Sequence, residues 1–302
     1  MSQLKRIVQI TRAPFLTAVI VPALLGTAIA WSEGYFQWGY FLLTLIGIVC
    51  VNLGLNLSND YFDHTSGLDE INEELTPFSG GSRSIQTGLI SAKGVLIWSI
   101  SCYAIGIAIG LFLAAARGWV ILALGLLGVF LAFFHNGPPI RLYHLAPGIG
   151  ELAVGIGCGP LVVLGAYYVQ TQRLSGGALW ASIPMGLLIT AVLYINEFPD
   201  YAADKAAGKK TVPVALGRER AAWGYVALVV GTYIAIVLGV VMGFFPYAAL
   251  LAFVTLPLAY RAIRGAMRFH SNTPKLIPTN ATTILLHLAN GLLLCLGYFF
   301  AS

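Results

Sequence analysis

The sequence predicts an all-α, polytopic membrane protein: nine transmembrane helices around a central cavity, in one domain covering 1–302. Three observations carry that expectation. Of 302 residues, 58% are hydrophobic and only 10% are charged, whereas a soluble globular chain carries about 25% charged residues; mean hydropathy is +0.82. The apolar stretches are long and unbroken, without the alternation of barrel strands. The basic residues lie between the stretches or close to their ends. Such a composition excludes a water-soluble domain, a disordered or collagen-like chain and a nucleic-acid-binding protein. The net charge of +5 fits the basic flanks of membrane helices better than a polyanion site.

A bilayer core of roughly 30 Å needs about 20 mostly apolar helical residues. Nine stretches meet that test, near 14–31, 39–62, 93–115, 118–135, 148–170, 178–198, 220–243, 246–264 and 281–300. Basic residues in short loops mark the cytoplasmic side, and they justify each stretch in turn. Lys5, Arg6 and Arg12 precede the first, and Arg83 and Lys93 lie between the second and third. Arg141 separates the fourth from the fifth; Lys205, Lys209, Lys210, Arg218 and Arg220 stand at the junction of the sixth and seventh. Arg261, Arg264, Arg268 and Lys275 fall around the last connection. With the N-terminus inside, these fifteen share one face and only Arg117 and Arg173 fall on the other; one missed helix would scramble that split. A cell-membrane, multi-pass protein with N-terminus and acidic motifs at the cytoplasmic side is therefore expected. The first stretch is long enough to span and is followed by more of the same, so it is not read as a cleavable signal peptide. Cys50, Cys102, Cys158 and Cys295 sit singly, which supports neither a disulfide framework nor a zinc site. Pairs such as Gly106/Gly110 and Gly155/Gly159 are read as close-packing positions between helices.

The twelve acidic residues are concentrated. Asp60, Asp63, Asp69, Glu70, Glu73 and Glu74 follow the second stretch, and Glu197, Asp200 and Asp204 follow the sixth. A carboxylate in a membrane helix costs a few kcal/mol and usually marks function. Asn56, Asp60 and Asp63 are offset by four and three residues, which places them within an arc of roughly 60° on one helix face. Asp200 and Asp204 again share a face, just after Pro199, which breaks the sixth stretch. The two segments share Asn-x3-Asp (Asn56/Asp60 and Asn196/Asp200) and lie four stretches apart, hence on the same side. That pattern resembles a parallel duplication of stretches 1–4 and 5–8 with a ninth appended. Gathered carboxylates repel unless cations neutralise them, and Mg²⁺ takes oxygen ligands, one or two carboxylates plus substrate phosphates. Arg83, in Ser79-Gly80-Gly81-Ser82-Arg83, and Lys209 or Lys210 are candidates to meet the phosphates. Glu70, Glu73 and Glu74 are read as solvated loop charges, Tyr143, Trp98 and Trp119 as interface-belt aromatics. His135 and His144 lack metal-ligand spacing and are read as structural or solvated.

Asn56-x2-Asn59-Asp60-x2-Asp63 with Asp200-x3-Asp204-x3-Gly208-Lys209-x-Thr211 resembles the UbiA superfamily of intramembrane prenyltransferases. The likeness covers almost the whole chain. Within the superfamily, Asn59-Asp60-Tyr-Phe-Asp63-x5-Asp69, Gly137-Pro138-Pro139-Ile-Arg141-Leu, Gly150-Glu151 and Gly159-Pro160-Leu-Val-Val-Leu-Gly165 look like the branch that prenylates 1,4-dihydroxy-2-naphthoate on the way to menaquinone. Two positions depart from it. His135 stands where the branch usually has Tyr, and Gly67 stands where many members carry the last acid of the first motif, leaving Asp69 or no acid for that role.

The resemblance implies the UbiA-type fold and Mg²⁺-dependent transfer of a polyprenyl group from its diphosphate to an aromatic acceptor. It implies Asp60, Asp63, Asp200 and Asp204 as Mg²⁺ ligands, completed by Asn56 and Asn196. Asn59, Asp69, Arg83, Arg141, Lys209 and Lys210 are then expected at the substrates, with Arg83 also acting on the leaving diphosphate. Expected partners are the prenyl diphosphate, the acceptor and the bilayer, with no nucleic acid and no obligate protein partner. The alternatives are another UbiA-type acceptor (4-hydroxybenzoate, a glyceryl lipid ether or haem) and, from a different class, a cation-coupled secondary transporter. The transporter would favour acids near the midplane and inverted repeats.

Overall fold

A computed structural model of the chain describes residues 3–301, with side chains from Arg6 onward; Lys5 lies outside the described side chains. Among the described residues there are helices and no strands. Eight helices are long and apolar enough to cross a membrane: α1 (Ala13–Ser32), α2 (Trp38–Thr65), α3 (Ala92–Arg117), and, after the next helix, α5 (Ile149–Thr171), α6 (Gly176–Asn196), α7 (Arg218–Val241), α8 (Tyr247–Phe269) and α9 (Thr273–Phe299). The stretch expected near 118–135 is the apolar helix α4 (Trp119–Phe134). Its 16 residues give about 24 Å at 1.5 Å per residue, short of the length a full crossing needs. The expected count of nine spans is thus eight by length plus this shorter helix.

Small residues explain how closely the helices approach. A Cβ on Gly106 would come 2.7 Å from Val51 Cγ2 and 3.0 Å from the Gly47 carbonyl, so α3 lies against α2. A Cβ on Gly159 would come 2.6 Å from Gly186 Cα, and this contact seats α5 on α6. In lipid, where apolar burial gives no drive, such approach supplies the packing energy. Gly110 differs from the expectation: a Cβ there would meet nothing within 4 Å.

Two elements depart from the expected outlines for visible reasons. In α5 the turn Gly157–Leu161 is π-helical and contains Pro160, whose ring cannot coexist with a regular i−4 carbonyl. Helix α9 starts eight residues before the expected 281. Pro274 sits in its first turn, where its missing N–H costs nothing, and Asn272 caps it through the Lys275 N–H at 3.2 Å. This polar start, about two turns long, extends below the apolar stretch and carries Asn280 to the end of α6.

Candidate active site

The acids gather at one end of the bundle, where α2 and α6 finish. Beyond α2, Gly67 takes φ 75° and turns the chain into a short helix, Leu68–Ile71, which folds Asp69 and Asn72 back over the cavity. Asn72 Nδ2 donates to Asp200 Oδ1 at 2.8 Å. The loop that follows reaches both motifs. The Gly80 N–H donates to Asp200 Oδ2 at 3.3 Å, and two residues on, the Ser82 N–H donates to Asp60 Oδ1 at 3.2 Å. Gly81 between them has φ 73°, and a Cβ there would stand 3.2 Å from Asp60 Oδ1. Only glycine suits that approach.

From the other side, Asp200 precedes the helix Tyr201–Ala206, and Gly208 (φ 74°) reverses the chain so that the Lys209 N–H returns to the Asp204 carbonyl at 2.9 Å. The Lys209 ammonium then lies 3.2 Å from Asp63 Oδ1 and 3.7 Å from Asp204 Oδ1, tying motif to motif. Asn136 Nδ2 also reaches Asp63 Oδ1 at 3.4 Å. Arg12 approaches Asp60 at 3.9 Å. Asn280 Nδ2 donates to Asn196 Oδ1 at 2.6 Å, and Asn56 Nδ2 lies 3.5 Å from Asn52 Oδ1. Asn59 Oδ1 is buried without a hydrogen-bond partner.

Burial governs the charges here. It pushes Asp204 up to about 7, with Lys209 opposing and Asp200, Asp63 and Glu151 adding to the rise. It also pushes Asp69 up to about 6, helped by Asp63 and Asp60 and opposed by Gln86. Burial alone would lower Lys209, but Asp63, Asp204 and Asp200 outweigh it and hold the ammonium protonated. Burial, then Lys209, pulls His135 down to about 3, so its imidazole is neutral. Among the described residues no three His, Cys, Asp or Glu side chains form a ready-made metal shell; Lys209, Asn72 and two loop N–H groups engage the carboxylates. The carboxylates and amides nevertheless offer hard oxygen donors, and Asn59, whose buried Oδ1 has no partner, stands in the cavity wall among them. A set of this kind suits Mg²⁺ held by few carboxylates and completed by phosphate oxygens.

A polar cavity of about 170 Å³ has Asn56, Asn59, Asp63, Asp69, Asn196, Asp200, Asp204 and Lys209 in its wall. Asp60, held by Ser82, lies just behind. Three expected residues are elsewhere: Arg83 donates to the Asp69 carbonyl, Lys210 Nζ bonds the Leu145 carbonyl at 3.2 Å, and Arg141 is exposed. The structure also adds residues that the sequence did not single out: Arg12, Asn72, Asn136 and Glu197. Only Glu197, next to Asn196 and among the gathered acids, carried a readable signal. Tyr143 is not an interface aromatic as expected. It is buried, its hydroxyl donates to Glu197 Oε1 at 3.0 Å, and its ring faces Lys209 at 5.4 Å. Glu74, expected to be solvated, accepts from Arg218 at 3.3 Å.

A second cavity of about 260 Å³, almost wholly apolar, runs between α2, α3, α4 and α5. Asn52, Leu55, His135, Val154 and Cys158 belong to both walls, so an anionic head and an apolar tail can lie in one continuous space.

Residues 19–280 match the UbiA prenyltransferase family. The chain belongs to that family. It is therefore a prenyltransferase with membrane-spanning helices. A "2-carboxy-1,4-naphthoquinone phytyltransferase" from Synechocystis sp. is 30% identical over 96% of this chain and 92% of its own length. A "1,4-dihydroxy-2-naphthoate octaprenyltransferase" from Bacillus subtilis is 28% identical over 85% of this chain and 80% of its own. Among solved structures, a UbiA homologue from Archaeoglobus fulgidus bound to GPP and Mg²⁺ superimposes with a TM-score of 0.58 at 16% identity, covering 96% of this chain and 99% of that one. That likeness supports the fold.

Proposed function

We propose that this prenyltransferase moves a polyprenyl group from its diphosphate to 1,4-dihydroxy-2-naphthoate, in a Mg²⁺-dependent reaction at the cytoplasmic end of the bundle. The observation that carries the reading is Lys209 seated between Asp63 of one acidic motif and Asp204 of the other, in a polar cavity that opens into an apolar one. The names of the two naphthoate-related relatives support the acceptor.

In this reading Asp60, Asp63, Asp200 and Asp204, with Asn56, Asn59 and Asn196, hold Mg²⁺, which when bound supplies the positive charge that neutralises the leaving diphosphate. Lys209 adds a fixed ammonium to the same oxygens. The allylic C–O bond breaks with its electron pair leaving on the diphosphate. The cation left behind lies at the junction of the two cavities, where the neutral His135 ring and apolar neighbours exclude water. The ring carbon bearing the carboxylate attacks it, the new C–C bond forms, and loss of CO₂ returns the electron pair to the ring. Asp69 lies in the cavity wall as a further acid. Arg83, Arg141 and Lys210 act outside it, Arg83 by holding the loop at Asp69.

The test is product analysis. Purified protein with Mg²⁺, a prenyl diphosphate and a panel of 1,4-dihydroxy-2-naphthoate, 4-hydroxybenzoate, a glyceryl phosphate and haem should yield only a decarboxylated prenyl naphthol by mass spectrometry. Prenylation of another acceptor in its place would overturn the assignment.

A further inference from the structure

The membrane glycines of this chain fall into two groups. Gly106 and Gly159 are contact points, where a Cβ would collide with a neighbouring helix. At Gly110, Gly125, Gly157 and Gly165 a Cβ would meet nothing within 4 Å, and all four stand in the wall of the apolar cavity. The π-helical turn of α5 shows the contrast within three residues: Gly159 packs on α6 while Gly157 faces open space.

Three of the open glycines also share a depth. Gly110 lies seven residues before the end of α3 at Arg117, Gly125 six after the start of α4 at Trp119, and Gly165 six before the end of α5 at Thr171. All three are therefore about 9–11 Å from the helix ends opposite the acidic site. Gly157 lies closer to the site, four residues after Ala153. The cavity wall follows residues 121–132 of α4, a run of about 16 Å. Exposed Leu122 and Leu126 flank Gly125, so the space also opens to the lipid.

We propose that Gly110, Gly125 and Gly165 form a level of side-chain-free wall that determines how long a donor tail the protein accepts. The proposal rests on the prenyl-transfer reading, and the occupant follows from continuity: the cavity begins at Asn52, His135 and Cys158, in the wall of the diphosphate site. A tail leaving that site runs away from the acids, towards the opposite face, and reaches this level only when it is long. A Cβ added here meets no neighbouring atom within 4 Å, so a larger side chain takes up tail space and shortens the accepted donor.

The experiment compares geranyl diphosphate with octaprenyl diphosphate in wild-type protein and in Gly125→Phe, Gly165→Phe and Gly110→Leu, reconstituted in nanodiscs with Mg²⁺ and the naphthoate. kcat/KM for the octaprenyl donor should fall at least tenfold in each variant while that for geranyl stays within about twofold; geranyl turnover reports the fold of each variant. Gly157→Phe, nearer the site, should reduce geranyl as well. Equal loss of both donors in all three distal variants, or no loss of either, would overturn the proposal and indicate a cleft filled by membrane lipid. A wild-type protein that turns over neither donor would instead overturn the prenyl-transfer reading itself.

Discussion

Lys209 and Lys210 are adjacent in sequence, yet only Lys209 is turned inward, because Gly208 in the left-handed region folds the chain back onto Asp204. Lys209→Met leaves Asp63 and Asp204 facing each other without their shared cation. It should lower kcat/KM for the prenyl diphosphate by about 10²-fold, the scale of one lost charge-stabilising donor, whereas Lys210→Met should leave it unchanged; steady-state kinetics on both variants check this. Asp60→Asn and Asp200→Asn should each abolish Mg²⁺-dependent turnover in protein that still elutes as a folded species in detergent. Asp204 adds a pH dependence. Its folded pKa is raised to about 7, so below that pH it is protonated and a divalent ion must displace the proton. Apparent Mg²⁺ affinity should therefore rise as pH increases through about 7, and Asp204→Asn should flatten that part of the profile. Arg83 holds the Asp69 carbonyl outside the cavity wall, so Arg83→Ala should weaken donor and acceptor binding alike, measured by calorimetry with each.

At the scale of elements, hydrophobic length located the eight helices of spanning length and the shorter α4, because an uninterrupted apolar run has one stable form in lipid. The acid spacing also made the face of α2 legible, since Asn56, Asp60 and Asp63 need only a regular helix to align. The polar extensions were not legible. The start of α9 is too hydrophilic for a hydropathy window, and Asn196, the partner of Asn280 about two turns into that helix, is 84 residues away. Asn72 was likewise hidden among loop residues, since its role depends on the turn at Gly67 and on a contact with Asp200 across 128 residues. Asn280→Ala removes the donor to Asn196 Oδ1 and should cost roughly 1–3 kcal/mol at that buried group, read as about tenfold weaker Mg²⁺ binding. Gly159→Leu forces α5 off α6 and should destabilise the bundle by about 1–3 kcal/mol, seen as a lower Tm in detergent. Gly165→Leu, beside open space, should leave Tm unchanged.

Over the whole molecule, the layout follows from placing a charged reaction at the edge of an apolar medium. Every described acid of the two motifs is at one end, neutralised by Lys209, Arg12 and loop N–H groups, and the apolar cavity leads from there into the bilayer. The most direct measurement is a structure in nanodiscs with Mg²⁺ and an unreactive prenyl thiolodiphosphate. The account predicts metal density bridging the diphosphate to Asp60 or Asp63 on one side and Asp200 or Asp204 on the other, with Lys209 on the same phosphate oxygens. A diphosphate bound with its metal to only one motif, or outside the space between them, would contradict it.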